Sequence, residues 1–189
     1  MVRLPVTLER KLHTVFPKTR EREQFVAEVL SKALETRSSV EAEQPLAIGG
    51  TLHLFTDGGS RGNPGQAAVG CVLIDPMKGE TLREYGEAIG IVTNNIAEYQ
   101  ALITGLRIAK EYCPNHLICH LDSELVVKQL SGEYRVKMVS FQPLIEEITE
   151  LKSHFPHISF VYVPRQQNKR ADSLVNKALD ELIKERPVF

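Results

Sequence analysis

From residue 48 onward, apolar positions fall into strand-length runs separated by longer helical stripes. The run Leu52-His53-Leu54-Phe55 predicts a strand over about 51–57, which puts Asp57 where a strand ends and a tight turn begins. Gln66 to Asp75 and Glu80 to Gly90 predict two further strands joined by a turn at Asp75-Pro76-Met77-Lys78-Gly79, giving an antiparallel meander. Tyr99, Leu102, Ile103 and Leu106 share one face of a helix predicted over about 95–112. His116 to Leu121 reads as a short buried strand. One short helix starts after Asp122, and a second runs from about Pro143 to Ser153. Ile158 to Val163 is the last strand, and Ala171, Leu174, Val175, Ala178 and Leu182 stripe a final helix at about 169–184. The order β-β-β-α-β-α-α-β-α predicts an α/β fold, a five-stranded mixed sheet flanked by helices.

Residues 1–46 read differently from residues 47–189. Val2, Leu4, Val6 and Leu8 alternate with Arg3, Pro5 and Thr7, as in a short edge strand. Thr19 caps a predicted helix with an apolar stripe through Phe25, Val26, Val29, Leu30, Ala33 and Leu34. A polar linker, Arg37 to Pro45, follows. A strand with a short and a long helix resembles a ribbon-helix-helix dimer unit, which would make the chain a homodimer. The plainer reading is a small helical appendage.

Composition narrows the class. With 189 residues, 42% hydrophobic and 25% charged, the chain is long enough for one well-cored domain plus an appendage. The longest apolar stretch near the Asp57 turn, Ala67 to Ile74, is too short to span a bilayer, and the N-terminus lacks a signal-peptide core. Cys71, Cys113 and Cys119 form no C-x-x-C pair and read as free thiols. A cytoplasmic protein is expected. The net charge of −1 excludes a generally basic nucleic-acid binder. Positive charge must be local, or supplied by metal ions.

The run Thr56-Asp57-Gly58-Gly59-Ser60-Arg61-Gly62-Asn63-Pro64-Gly65 is rich in glycine, which lets backbone pass close to something bulky such as a phosphate backbone. A carboxylate facing phosphate needs a cation between them. Asp57 and Asp122 each end a predicted strand, so parallel pairing of those strands brings them together. Glu98, in the first turn of its helix, shares a face with Leu102, and Asp172 lies early in the last helix. Four converging carboxylates repel unless cations neutralise them. All-oxygen ligands select Mg²⁺ or Mn²⁺, and two such ions suit phosphodiester hydrolysis. Each acid also has a plainer reading: an Asx-turn for Asp57, a solvent-facing acid for Glu98, an N-cap at Asp122-Ser123 and a macrodipole partner for Asp172.

The flanking residues carry a resemblance. Asp57-Gly58-Gly59-Ser60 with Gly62-Asn63-Pro64-Gly65, Thr93-Asn94-Asn95 with Glu98, Leu121-Asp122-Ser123, and Asn168-x-x-Ala171-Asp172 resemble, in order, the four signature segments of the type 1 ribonuclease H family. The likeness spans roughly residues 50–184. It implies the ribonuclease H fold and hydrolysis of the RNA strand of RNA/DNA hybrids with two Mg²⁺ ions, Mn²⁺ being the alternative. Double-stranded RNA is a second candidate substrate. The resemblance implies that Asp57 bridges both ions, that Glu98 and Asp122 complete one site, and that Asp172 completes the other. It also implies hybrid contacts from Asn94 and Asn95, with Gly58, Ser60 and Asn63 beside them.

The chain departs from the family in two places. Where many members carry a loop histidine, it reads Val163-Pro164-Arg165-Gln166-Gln167-Asn168, which leaves Arg165 to steady a phosphate without exchanging a proton. Members with a basic protrusion have a lysine-rich, tryptophan-bearing helix after the third acid; this chain has no Trp and offers Lys128, Arg135 and Lys137, with Glu124 where many members have glutamine. Weaker substrate grip is expected, to be supplemented by Arg3, Arg10, Lys11, Lys18, Arg20 and Arg22. Two other functions compete: a nucleic-acid-binding module of the same fold with little or no turnover, and an actin-like ATPase, for which one domain is too short. A DNA-directed integrase or resolvase fits the Asn94-Asn95 pair less well.

Overall fold

A computed structural model of the chain describes residues 49–136 and 138–184. The chain divides into two units at Gln44/Pro45, and all the described residues belong to the second. The strand, helix, linker and dimer resemblance assigned to residues 1–46 lie outside the described residues.

The strands are β1 (Thr51–Gly62), β2 (Gly65–Asp75), β3 (Glu80–Val92), β4 (His116–Leu121) and β5 (His157–Tyr162). The helices are α1 (Asn94–Lys110), α2 (Glu124–Leu130), α3 (Gln142–Lys152) and α4 (Lys169–Lys184). They form one mixed sheet in the order β3-β2-β1-β4-β5. The meander β1–β2–β3 is antiparallel, and β4 and β5 join β1 in parallel. The element order and type match those predicted from the apolar pattern, with ends shifted by a few residues.

One shift matters for the site. β1 was predicted to end near Asp57 but continues to Gly62, still paired with β2 as far as Gly62↔Gly65. What stops near Asp57 is the parallel ladder to β4, whose last pair is Thr56↔Leu121. Asp57 therefore lies within β1, one residue beyond the end of the β1–β4 ladder. The reversal itself is short, with Gly62 at φ +115° and Asn63-Pro64 between the paired glycines.

Strand alternation sorts side chains between two layers. Leu52, Leu54, Leu117 and Leu121 are fully buried with Tyr99, Leu102 and Leu106 of α1, and Ile148 of α3 joins the same cluster. On the other face α4 buries Ala171, Val175, Ala178 and Leu179 over β2, β3 and β1. The predicted stripe of α4 included Leu174 and Leu182, which are half-buried, and omitted Leu179, which is buried.

The expected role of the glycines is corrected in part. A Cβ on Gly58 would lie 2.1–2.3 Å from backbone atoms of Ala97 and Glu98, and one on Gly70 would lie 2.3 Å from the Ala171 carbonyl. At these positions the bulky object is the protein's own helix. Among the described residues, no helix is long and apolar enough to cross a membrane.

Candidate active site

The second half of β1 and the carboxyl end of β4 border a cleft of about 510 Å³ lined by Asp57, Glu98, Asp122, Arg165 and Asp172 among others. Asp57 arrives on β1. Asp122 follows the last residue of β4. Glu98 arrives on α1, which Thr93 caps by accepting the Ile96 N–H at 3.4 Å. Because α1 begins at Asn94, Glu98 lies in its second turn rather than the first as expected. The close approach at Gly58 sets α1 directly against β1 and brings Glu98 beside Asp57.

Oxygens of Asp57, Glu98 and Asp122 all lie within 4.8 Å of one another. The plainer readings do not fit Glu98, which is only 8% exposed, or Asp57, which is 7% exposed and lies inside a paired strand rather than a turn. At Asp122-Ser123 the N-cap reading holds for Ser123, which takes that position of α2 without a side-chain cap bond. Burial, with Asp57 and Asp122 adding repulsion, pushes the Glu98 carboxyl up to about 9. Burial with Asp122 and Asp172 pushes Asp57 up to about 7, while Arg165 and the Gly58 backbone N–H pull it down. Glu98 Oε2 is buried without a hydrogen-bond partner. Three clustered carboxylates, one of them buried with an unpartnered oxygen, are the donor set of a hard cation, so the residues present fit a divalent metal ion.

Asp172 stands apart from this trio. It is 26% exposed, and one oxygen is bound by the Arg165 guanidinium. Asn176, one turn along α4, donates to its other oxygen at 3.2 Å. The fourth expected ligand thus faces the same cleft but is held by a cation of the protein.

Asn168 holds two strand ends together. Its Nδ2 donates to the Thr56 carbonyl at 2.8 Å and to Asp122 Oδ1 at 2.9 Å, and the residue is 1% exposed. In the sequence Asn168 is part of the Asn168-x-x-Ala171-Asp172 motif, but a lone asparagine before a helix reads as a turn residue and nothing there signals this bridge. Asn176 also went unnoticed, although its i+4 spacing from Asp172 was legible. Tyr162, at the end of β5, lines the cleft too.

The expected substrate residues form a polar rim of uneven depth. Ser60 N–H donates to Asn94 Oδ1 at 3.3 Å, and Asn94 N–H donates to Asn63 Oδ1 at 3.2 Å. Ser60 Oγ lies 2.6–3.1 Å from the carbonyls of Gly62, Val92 and Gly65. Gly58, Ser60 and Asn94 line the cleft. Asn63 acts on it through Asn94, and Asn95 is exposed at the start of α1. Beyond the third acid, Glu124 pairs with Lys128 at 2.7 Å and Lys128 lies over the Tyr134 ring.

Comparison with known proteins accords with this geometry. The family model described as "Reverse transcriptase-like" matches residues 55–178. Ribonuclease HI of Halobacterium salinarum is 43% identical over 133 residues, 70% of this chain and 66% of its own length. The bifunctional protein Rv2228c of Mycobacterium tuberculosis is 43% identical over 124 residues, 34% of its length. The chain therefore spans under two thirds of these curated relatives. The crystal structure of the Halobacterium RNase H1 superposes with a TM-score of 0.67 at 42% identity, covering 70% of this chain and 99% of that one. LC11-RNase H1, isolated from compost and solved in complex with an RNA/DNA hybrid, superposes with a TM-score of 0.65 at 40% identity over 70% and 99% of the two chains. By the reach of the family model and by its fold, this chain belongs to the type 1 ribonuclease H family.

Proposed function

We propose that this protein is a divalent-metal-dependent endoribonuclease that hydrolyses the RNA strand of RNA/DNA hybrids, leaving 5′-phosphate and 3′-hydroxyl ends. The observation that carries the reading is the trio Asp57, Glu98 and Asp122, with oxygens within 4.8 Å of one another and Glu98 Oε2 buried and unpartnered. The hybrid as substrate is supported by the LC11 relative, whose structure holds one.

Asp57, Glu98 and Asp122 would hold one ion, and Asp57 with Asp172 a second, Mg²⁺ being the ion that all-oxygen donors favour. Bound ions supply the positive charge that attacking and leaving oxygens need in phosphodiester hydrolysis. Asn168 fixes the Asp122 carboxylate relative to β1. Asn94, with Ser60 and Gly58, would meet the shallow minor groove where a 2′-hydroxyl marks a strand as RNA. Arg165, released from Asp172, would steady a phosphate. Three free cysteines, two of them buried, agree with a reducing compartment such as the cytoplasm.

One observation favours a second reading, a hybrid-binding module with little turnover: the Arg165–Asp172 pair engages the fourth acid. End-labelled RNA/DNA hybrid, double-stranded RNA, single-stranded RNA and double-stranded DNA, each with Mg²⁺ or Mn²⁺, separate the readings when run beside Asp57→Asn. Cleavage of the hybrid's RNA strand, silenced in the variant, supports the enzyme. Cleavage of double-stranded RNA as well would mean the second strand is hardly inspected. Binding without metal-dependent cleavage of any substrate would overturn the enzymatic reading.

A further inference from the structure

Four of the chain's six histidines meet on one face of the sheet, although they are scattered between positions 53 and 157. His53 is on β1, His116 and His120 on β4, and His157 on β5 opposite His116. Leu52 and Leu54 point into the core shared with α1, so alternation puts His53 on the opposite face, the one α4 packs against over β2 and β3. The rings of His53 and His120 lie 4.9 Å apart, and those of His116 and His157 6.2 Å apart. None of the four belongs to the carboxylate cleft.

The two innermost rings are placed for more than packing. His120 Nε2 lies 3.1 Å from His53 Nδ1 across the β1–β4 ladder. Phe55 stacks on the His120 ring at 4.4 Å and 12°, which fixes its plane. His116 Nε2 is engaged by Ser159 Oγ at 3.1 Å on the outer side. A hydrogen bond between two neutral imidazoles uses one shared proton and leaves His120 Nδ1 buried with no partner. The same two facing nitrogens can instead share a cation. With metal–nitrogen bonds of about 2.0–2.1 Å, a 3.1 Å nitrogen–nitrogen separation corresponds to a ligand angle of about 95–102°, between octahedral and tetrahedral.

We propose that His53 and His120 form a cross-strand two-imidazole site for a borderline transition-metal cation of the Zn²⁺, Ni²⁺ or Cu²⁺ class, with water completing the coordination. The site is chemically sorted from the acidic cleft: imidazole nitrogens suit Zn²⁺, Ni²⁺ and Cu²⁺, whereas carboxylate oxygens suit Mg²⁺ and Mn²⁺. It is also spatially separate on β1, where His53 precedes Asp57 by four residues, about 13 Å of strand. A cation there ties together the two strands that deliver Asp57 and Asp122.

Calorimetric titration of the full chain with Zn²⁺ in saturating Mg²⁺, which occupies the carboxylates, tests the site. The wild type is expected to bind one Zn²⁺ equivalent that His53→Ala and His120→Gln each weaken at least tenfold. Long-range proton–nitrogen spectra of the wild type are expected to show the His53 and His120 ring nitrogens shifting on Zn²⁺ addition. Unchanged unfolding temperature in Mg²⁺ verifies that each variant is folded, and His53→Ala decides the matter if His120→Gln is not. Identical Zn²⁺ binding in folded His53→Ala, or no Zn²⁺ bound in the presence of Mg²⁺, would overturn the proposal.

Discussion

Asp57 and Glu98 are each buried beside like charges, and their ionised forms are expensive without a counter-cation. Both groups have folded-state pKa values above those of an unfolded chain, about 7 and about 9. The folded form therefore holds more protons than the unfolded form between roughly pH 4 and these values. Stability is then fully present below the unfolded pKa and is lost as pH rises, first through about 7 for Asp57 and then through about 9 for Glu98. The metal-free protein is expected to unfold at lower temperature at pH 9 than at pH 6, with Mg²⁺ closing the gap. Glu98→Gln should raise metal-free stability at pH 9 by about 2 kcal/mol, well under the full pKa-unit conversion, and abolish cleavage. Denaturant melts at the two pH values, with and without Mg²⁺, test both statements. Arg165 works in the opposite sense, since it lowers Asp57 and Glu98. Arg165→Ala should move the acidic limb of the kcat/KM profile to higher pH, and an unmoved limb would show that the guanidinium does not act on the carboxylates. Asn168→Ala leaves the Thr56 carbonyl and Asp122 without their shared donor, for an expected loss of about 1–3 kcal/mol and a larger loss in kcat than in substrate binding.

At the scale of elements, two close approaches set the site. α1 lies against β1 because Gly58 has no Cβ, and α4 lies against β2 because Gly70 has none. Gly58→Ala must push backbone at Ala97 and Glu98 aside, and is expected to cost about 3 kcal/mol and to displace Glu98 from Asp57. Gly70→Ala meets a carbonyl of α4, the helix that carries Asp172, and should loosen that half of the site while leaving the trio in place. Thermal melts with Mg²⁺ titrations distinguish them: the first variant should lose metal-dependent stabilisation, the second should retain most of it.

At the scale of the whole molecule, charge is the constraint. Among the described residues, Arg61, Arg107, Lys128, Arg165 and Arg170 each pair with a carboxylate. Together with a net charge of −1, this takes several of the described cations out of the set that could displace counterions from a nucleic acid. The slope of log affinity for hybrid against log salt should be smaller in magnitude than about 4. Deleting residues 1–46, with their six named cations, should weaken hybrid binding further; undiminished affinity would refute a role for that segment. Fluorescence anisotropy over a salt series measures both.

The order and type of the elements were legible along the chain, because burial of one face imposes a period of about two on strands and about 3.6 on helices. The convergence of the four acids on one cleft was legible too, through their flanking glycines and asparagines. Local patterns could not show where β1 ends, since the glycines that read as a turn are held extended by pairing with β2. Nor could they show that those glycines admit helices, that Arg165 holds Asp172, that Asn168 bridges Thr56 and Asp122, or that His53 faces His120, 67 positions away. Periodicity reports which face of an element is buried. Which side chains meet across that face depends on register and topology, and these arise only when the whole sheet closes around its core.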